Sequence, residues 1–433
     1  MEVAIERAAA NEDGVTAVSS PPASDALTRT ILRGAGWAGS ARLLTNAGTA
    51  LRYVCFARLL GPFDFGVFGA AALAEGLLRT LTDPALGRAL VPERGDIEPF
   101  LDTIWSTMLA QGLLVSTIMI LAAKPLAAFF QIGSSYHIFF ALAPVPSLIS
   151  LQSPAANSRI ERSLNFRATF ALDLAEFAGG FAVGLTGILY FRDWRGLVLA
   201  VIGAQVTRTI LSHCLLPYRP RLRLDWLRAR HMFRFGRWVI LRRIADYVAG
   251  NLDNMVVGHL LGASQLGEYQ LAFRLGGFPC SEVSTTAALL TFPLVAHNRE
   301  HRHVHWRVFA IASIAVLVVG VFFAFVVKFF GGQLLTLTVG PRWSAAAAPL
   351  RVLCWYGCAR GLIVVGQRVL EGLCLPSYSF RVTLLSTLLL SLLIYPLTVA
   401  SGITGAAWAA TISVVLPVPV LFRLYRKAAD RTR

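Results

Sequence analysis

The sequence predicts an all-α polytopic membrane protein, with about twelve transmembrane helices in two pseudo-symmetric six-helix lobes and both termini inside. Three observations predict it. The first is composition: of 433 residues, 55% are hydrophobic and 15% charged, against about 25% charged in a soluble domain, and the mean hydropathy is +0.60. The second is a series of apolar runs long enough to cross a bilayer. The third is an internal repeat at an offset of 201 residues.

A membrane-spanning helix needs about 20 apolar residues. Runs of that kind fall at 34–57, 63–83, 101–123, 133–153, 168–191, 195–216, 236–260, 266–290, 306–328, 344–366, 380–400 and 402–424. Ser401-Gly402-Ile403-Thr404-Gly405 separates the last two as a tight turn. Residues 1–28 are polar and rich in small residues, without a basic stretch leading into an apolar one. They read as a disordered cytoplasmic tail and not a signal peptide. The organisation expected is the tail, an N-lobe over 29–216, a linker over 217–235, a C-lobe over 236–425 and a basic tail over 426–433.

The formal net charge of +16 raises the question of nucleic acid. Basic clusters interleaved with apolar spans are topology signals, not a nucleic-acid footprint. With the N-terminus inside, the inner segments carry 27 Lys and Arg and the outer ones 6, so the positive-inside rule sets the orientation. Every outer loop is short; the longest, around 329–343, has about fifteen residues. A membrane-embedded glycan polymerase or ligase needs a larger outer loop, and no Gly-x4-Gly-Lys-Ser/Thr loop is present to bind ATP. Transport is the class left. A major-facilitator protein also has six plus six helices, but its Gly-x3-Asp-Arg-x-Gly-Arg-Arg loop is absent after the second span.

The repeat is ungapped. Arg33, Trp37, Arg42, Leu51, Leu59, Leu60, Gly61, Gly66, Ala71, Gly76, Pro92 and Trp105 align with Arg234, Trp238, Arg243, Leu252, Leu260, Leu261, Gly262, Gly267, Ala272, Gly277, Pro293 and Trp306. Six helices per repeat give both halves one orientation, hence a parallel repeat about an axis normal to the membrane, with a site between the lobes. The doubled Leu-Leu-Gly-x4-Gly reads as a helix-to-helix turn in which glycine takes positive φ.

The stretches ARLLGPFDFGVFGAA (57–71), ERSLNFRATFALDLAEF (161–177), DNMVVGHLLGASQLGEYQLAFRL (253–275) and GPRWSAAAAPLRVL (340–353) resemble, in order and spacing, the polysaccharide flippases. That family belongs to the multidrug/oligosaccharidyl-lipid/polysaccharide flippase superfamily, with the multidrug extrusion (MATE) and lipid II flippase proteins. The resemblance implies a twelve-helix, two-lobed fold in the bacterial inner membrane. It also implies that the cargo is an undecaprenyl-pyrophosphate-linked oligosaccharide moved to the outer leaflet by alternating access, without catalysis. Glycan polymerase and glycosyltransferase partners are implied too. The alternative on the same fold is a small-molecule cation or drug antiporter, whose site would favour acids and aromatics over arginine.

Charges inside a membrane cost about 2.5–3.5 kcal/mol on insertion scales and are functional candidates by default. Arg42, Arg52, Arg79, Arg208, Arg243, Arg274 and Arg351 are the candidates for a cationic cleft, because guanidinium binds phosphate oxygens in pairs at any relevant pH. Inter-helix ion pairs, such as Glu75–Arg79 or Arg243–Asp246, are the competing use. Asp173, Glu176, Asp246 and Asp253 are candidates to couple a proton or Na⁺, or else to pair with arginine. No other cofactor is expected. The basic, aromatic stretch 219–235 reads as an interfacial segment on anionic lipid. The six cysteines form no CxxC pair and read as small apolar residues. His297, His301, His303 and His305 read as part of a solvated basic loop, so no metal site is expected.

Overall fold

A computed structural model describes residues 46–83, 98–133, 136–145, 166–215, 221–222, 226–297 and 302–431. Among them the chain is helical, as the apolar runs require. In the N-lobe, α1 (residues 46–59) is followed by α2 (Pro62–Thr82), α3 (Glu98–Leu121), α4 (Ala123–Phe129) and α5 (His137–Leu142). Then come α6 (Phe166–Phe191) and α7 (Arg195–Leu215). The C-lobe holds α8 (Trp226–His297), α9 (Arg302–Thr338), α10 (Ala347–Gly372), α11 (Pro376–Val415) and α12 (Pro417–Arg431). The fold is that of an all-α, multi-pass membrane protein.

Two of these helices are hairpins of two spans. In α8 the break is Gly262, at φ 80°. The Tyr269 hydroxyl donates to Asp253 at 2.8 Å across sixteen residues, about 24 Å apart in a straight helix, so the chain folds back there. In α11 the break is Ser401 and Gly402, where the Ser-Gly turn was expected. The N-lobe copy of the repeated turn differs. Gly61 is extended at φ −90°, and Pro62 opens α2 with its φ already set. Glycine's positive φ is therefore used at Gly262 and not at Gly61.

The outer loop expected around 329–343 is a correction. Helix α9 continues to Thr338, and a 3₁₀ turn begins at Pro341, so only Val339 and Gly340 (φ 102°) lie between. Gly331 and Gly332 sit inside the helix, where a membrane span tolerates glycine. Residues 1–45, including the tail and the inner part of the first span, fall outside the described residues, as do the inner half of the fourth span, where its chain continues past 145, and part of the linker. From Trp226 the linker is helical and continuous with the seventh span.

The repeat explains the packing between lobes. Gly66 lies against the Ala263 carbonyl, and Gly267 lies against the Pro62 carbonyl. Under the 201-residue shift these two contacts are one contact written twice, 62 with 267 and 66 with 263. The lobes thus meet about a pseudo-twofold axis through a glycine crossing of α2 and the second limb of α8. Around it one apolar core runs through the outer half of both lobes, from Phe56 and Phe65 to Leu271, Trp343 and Leu353. Towards the inner side the core divides. One cluster belongs to the C-lobe, with Phe309, Ile363 and Tyr425, and a small one about Leu172 belongs to the N-lobe. Outward from the core, Ile311, Ile314, Val318, Phe322, Phe325 and Phe329 form an exposed stripe on α9, the lipid-facing surface of a spanning helix.

Candidate functional site

On the orientation set by Lys and Arg, the outer end of the lobe interface is plugged. Trp343, fully buried, donates its indole N–H to the Ala57 carbonyl at 2.8 Å and meets Phe65 edge-on at 5.3 Å. Arg58, at the outer end of α1, donates to the Leu337 carbonyl of the C-lobe at 2.6 Å. The repeat-related His259, at the outer end of α8's first limb, shares a hydrogen bond with the N-lobe Phe129 carbonyl at 2.8 Å and stacks on the Phe129 ring. Gln131 donates to the His259 carbonyl at 2.7 Å. Each lobe therefore ties down the end of the other's first helix.

Below this plug lies a cavity of about 400 Å³ between α1 on one side and α8 and α10 on the other. Counting along the helices gives its depth. Tyr53, Phe273 and Tyr356 form the outer floor, Thr49, Arg274, Gly277 and Arg360 the middle, and Asn46, Ser281 and Glu282 the inner rim. Phe273 and Tyr356 pack at 4.9 Å between ring centres. The Arg274 guanidinium lies 4.6 Å over the Tyr53 ring, a cation–π contact. Asn46 donates across the lobes to Glu282 at 2.9 Å. Among the described residues the cavity lining offers two arginines and one carboxylate.

The repeat shows that the equivalent positions across the pseudo-axis are filled differently. Asn46 corresponds to Tyr247, and Gly277 to Gly76. On the far side of the pseudo-axis Tyr247 fills the equivalent space: its hydroxyl donates to the Leu73 carbonyl at 2.8 Å, and a Cβ on Gly76 would stand 2.6 Å from that oxygen. On the near side no described residue lies within 4 Å of a Cβ added to Gly277. Leu73 and Leu81 are replaced there by Arg274 and Glu282.

The structure distributes the expected arginines. Arg274 lines the cavity. Arg208 is held by Asp173 at 2.8 Å and Glu176 at 2.6 Å inside the N-lobe, so these three form one ion-paired cluster. Arg52, half-buried on α1, faces Gly180 of α6 beside that cluster. Arg243 pairs with Asp83 across the lobes, not with Asp246, which is exposed. Arg79 and Arg351 are exposed and outside the cavity lining, and Arg42 lies outside the described residues. Asp253 is buried and accepts from Tyr269 and from its neighbour Asn254. Sequence reasoning missed Arg360 and Glu282. Each is an ionisable residue inside an apolar run, the signal that selected the others. Among the described residues no group of His, Cys, Asp and Glu is arranged to hold a metal.

Residues 55–348 match the family described as polysaccharide biosynthesis protein. The chain belongs to this family. Among relatives of the polysaccharide biosynthesis proteins, succinoglycan biosynthesis transport protein ExoT of Rhizobium meliloti (strain 1021) is 26% identical over 285 residues, 63% of this chain and 56% of that protein. The lipid II flippase MurJ, in an inward closed conformation, superposes with a TM-score of 0.74 at 13% identity, covering 92% of this chain and 89% of MurJ. An inward-facing multidrug resistance MATE family transporter of the MOP superfamily superposes at 0.67 with 12% identity, covering 91% and 98%. The fold is thus that of the superfamily whose sequence marks were noted above. Those marks now have a place: 57–71, 253–275 and 340–353 build the outer plug and the glycine crossing.

Proposed function

We propose that the chain flips a polyprenyl-pyrophosphate-linked oligosaccharide across the bacterial inner membrane by alternating access. Flipping of a lipid-linked glycan is the function that family and fold support. The observation that carries it to the site is the pair Arg274 and Arg360 in a cavity whose described lining holds one acid. Guanidinium forks onto diphosphate oxygens, and each such bond contributes about 1.5–3 kcal/mol. A cavity of 400 Å³, near the small end of ligand pockets of about 300–1,000 Å³, takes the diphosphate and the nearest sugar. The prenyl chain stays in lipid and the distal glycan extends through the divided inner half. The plugged outer end makes this the state that loads from inside. A drug-cation antiporter is disfavoured, since two arginines repel a cation and, among the described lining residues, Glu282 is the one acid to attract it.

Coupling to a proton or Na⁺ belongs to the same proposal. Asp173 and Glu176 are committed to Arg208. Asp253, buried behind the aromatic floor with Tyr269 against Phe273, is the acid best placed to change charge with the cavity.

The test uses proteoliposomes with a fluorescent polyprenyl-pyrophosphate oligosaccharide. Arg274→Ala with Arg360→Ala should cut headgroup binding and flipping more than tenfold, with Lys at both positions restoring only part. Unchanged flipping by the double alanine protein refutes the role of the pair.

A further inference from the structure

We infer that Glu282, held by Asn46, selects the sugar joined to the diphosphate, accepting a neutral sugar and rejecting an acidic one. This rests on the headgroup reading above and adds the substrate class at the inner rim. The order of the lining residues fixes the direction. The outer floor is closed by Tyr53, Phe273 and Tyr356, so a diphosphate at Arg274 and Arg360 points its glycan inward, along α8. Glu282 lies eight residues further along α8, about 12 Å at 1.5 Å per residue. That is the reach of a diphosphate plus one sugar ring.

The chemistry at that level suits hydroxyls. One carboxylate oxygen of Glu282 takes the Asn46 amide at 2.9 Å, and the Ser281 hydroxyl donates to the Phe278 carbonyl at 2.8 Å; this leaves the amide oxygen of Asn46, the Ser281 hydroxyl oxygen and the second Glu282 oxygen to accept from a sugar's O–H and N–H groups. Ser281 is exposed at the same rim. A carboxylate on that sugar would face Glu282 directly, and like charges brought together in a binding site disfavour the complex. The pseudo-symmetric comparison argues for a dedicated role. The residue equivalent to Glu282 is Leu81, and the residue equivalent to Asn46 is Tyr247. Neither member of the polar pair is repeated in the other half.

The experiment measures binding to the full chain in nanodiscs, with three probes: farnesyl diphosphate, and farnesyl diphosphate carrying N-acetylglucosamine or glucuronic acid. The wild-type protein should bind the N-acetylglucosamine probe about tenfold or more tighter than the glucuronic acid probe. Glu282→Gln keeps an acceptor for Asn46 and removes the charge. It should bring that ratio below about threefold while changing farnesyl diphosphate affinity less than about threefold, since the diphosphate lies about a Debye length away. An unchanged ratio in Glu282→Gln, or no discrimination by the wild-type protein, overturns the inference and leaves the diphosphate reading standing. Loss of both comes only if farnesyl diphosphate fails to bind, or binds Arg274→Ala as well as wild type.

Discussion

The glycine crossing is the most direct place to perturb the equilibrium between states. An added Cβ at Gly267 would stand 2.9 Å from the Gly66 nitrogen and 3.0 Å from the Pro62 carbonyl carbon, and closer still to the carbonyl oxygen. At Gly66 it would stand 3.0 Å from the Ala263 Cα and again overlap a carbonyl oxygen. These are backbone atoms, which cannot turn aside as a side chain does. Ordinary contact begins at about 3.4 Å, so α2 and α8 must part by about 0.5 Å to clear the Gly66 nitrogen and by considerably more to clear the carbonyl oxygens. Overpacking of this kind costs typically about 1–3 kcal/mol, and each 1.4 kcal/mol is tenfold in an equilibrium. Gly66→Ala or Gly267→Ala should therefore shift the population away from the outer-closed state by about five- to 150-fold. The pseudo-twofold axis requires the two effects to be similar. The assay is a spin-label distance across the outer plug, with labels at Leu59 and Leu337, both exposed, in a protein lacking the exposed Cys214 and Cys374. Gly277→Ala, which meets no described residue within 4 Å, is the control and should leave the distances alone. Unchanged distances in both crossing variants, with the proteins folded, would refute the claim that this contact holds the plug shut.

Three further outcomes are expected. Asn46→Tyr should fill the cavity as Tyr247 fills the equivalent space, abolishing headgroup binding while melting temperature holds; retained binding would move the site elsewhere. Asp253→Asn keeps an acceptor for the Tyr269 hydroxyl and removes the charge, so flipping should lose its response to a proton or Na⁺ gradient while binding persists. A gradient response equal to wild type would exclude Asp253 from coupling. Reporter fusions after Arg192 and Gly340 should read as outside and one at Arg433 as inside, and an outside signal at Arg433 would overturn the orientation.

Much of the architecture was legible because it depends on local patterns. Apolar runs of membrane length gave the spans, and the Ser401-Gly402 turn gave a hairpin. The 201-residue repeat pointed to an interface between lobes, and its glycines are the atoms that touch there. The loop at 329–343 differs because the sequence reading ends the ninth span at 328, whereas the helix continues through Gly331 and Gly332 to Thr338. The site was less legible because pairing is a long-range fact. Arg208 meets acids 32 and 35 residues away, Arg243 meets Asp83 160 residues away, and Asn46 meets Glu282 236 residues away. A set of intramembrane arginines can be counted in the sequence. Which of them are neutralised depends on helix rotations that no local pattern encodes. The repeat did hold one usable clue: laying 46 on 247 and 81 on 282 exposes the positions where the two halves diverge in polarity.

That divergence bears on what drives the switch. A ligand shifts a two-state equilibrium only by binding the states differently. Arg274 and Arg360 both belong to the C-lobe, on α8 and α10, and move together if the lobe moves as a body. A diphosphate held by these two alone therefore gains little from either state, however tightly it binds. Asn46, Thr49 and Tyr53 belong to the N-lobe, so a headgroup that also touches them spans the interface. To open the outer end, the protein must give up the bonds from Trp343, Arg58 and Gln131 and the His259–Phe129 link. At about 0.5–1.5 kcal/mol for each hydrogen bond, that is a few kcal/mol together. On the inner side the Asn46–Glu282 link and the partly exposed Arg243–Asp83 pair, the latter worth about 1 kcal/mol or less, oppose separation there. A sugar that engages Asn46 replaces the first of these with contacts of its own. The expectation is that farnesyl diphosphate binds without changing the Leu59–Leu337 label distance, whereas the N-acetylglucosamine-bearing probe changes its distribution at equal occupancy. An equal response to both probes would show that the anion alone couples the lobes, and would require an N-lobe cation, with Arg52 the first to examine, to reach the diphosphate.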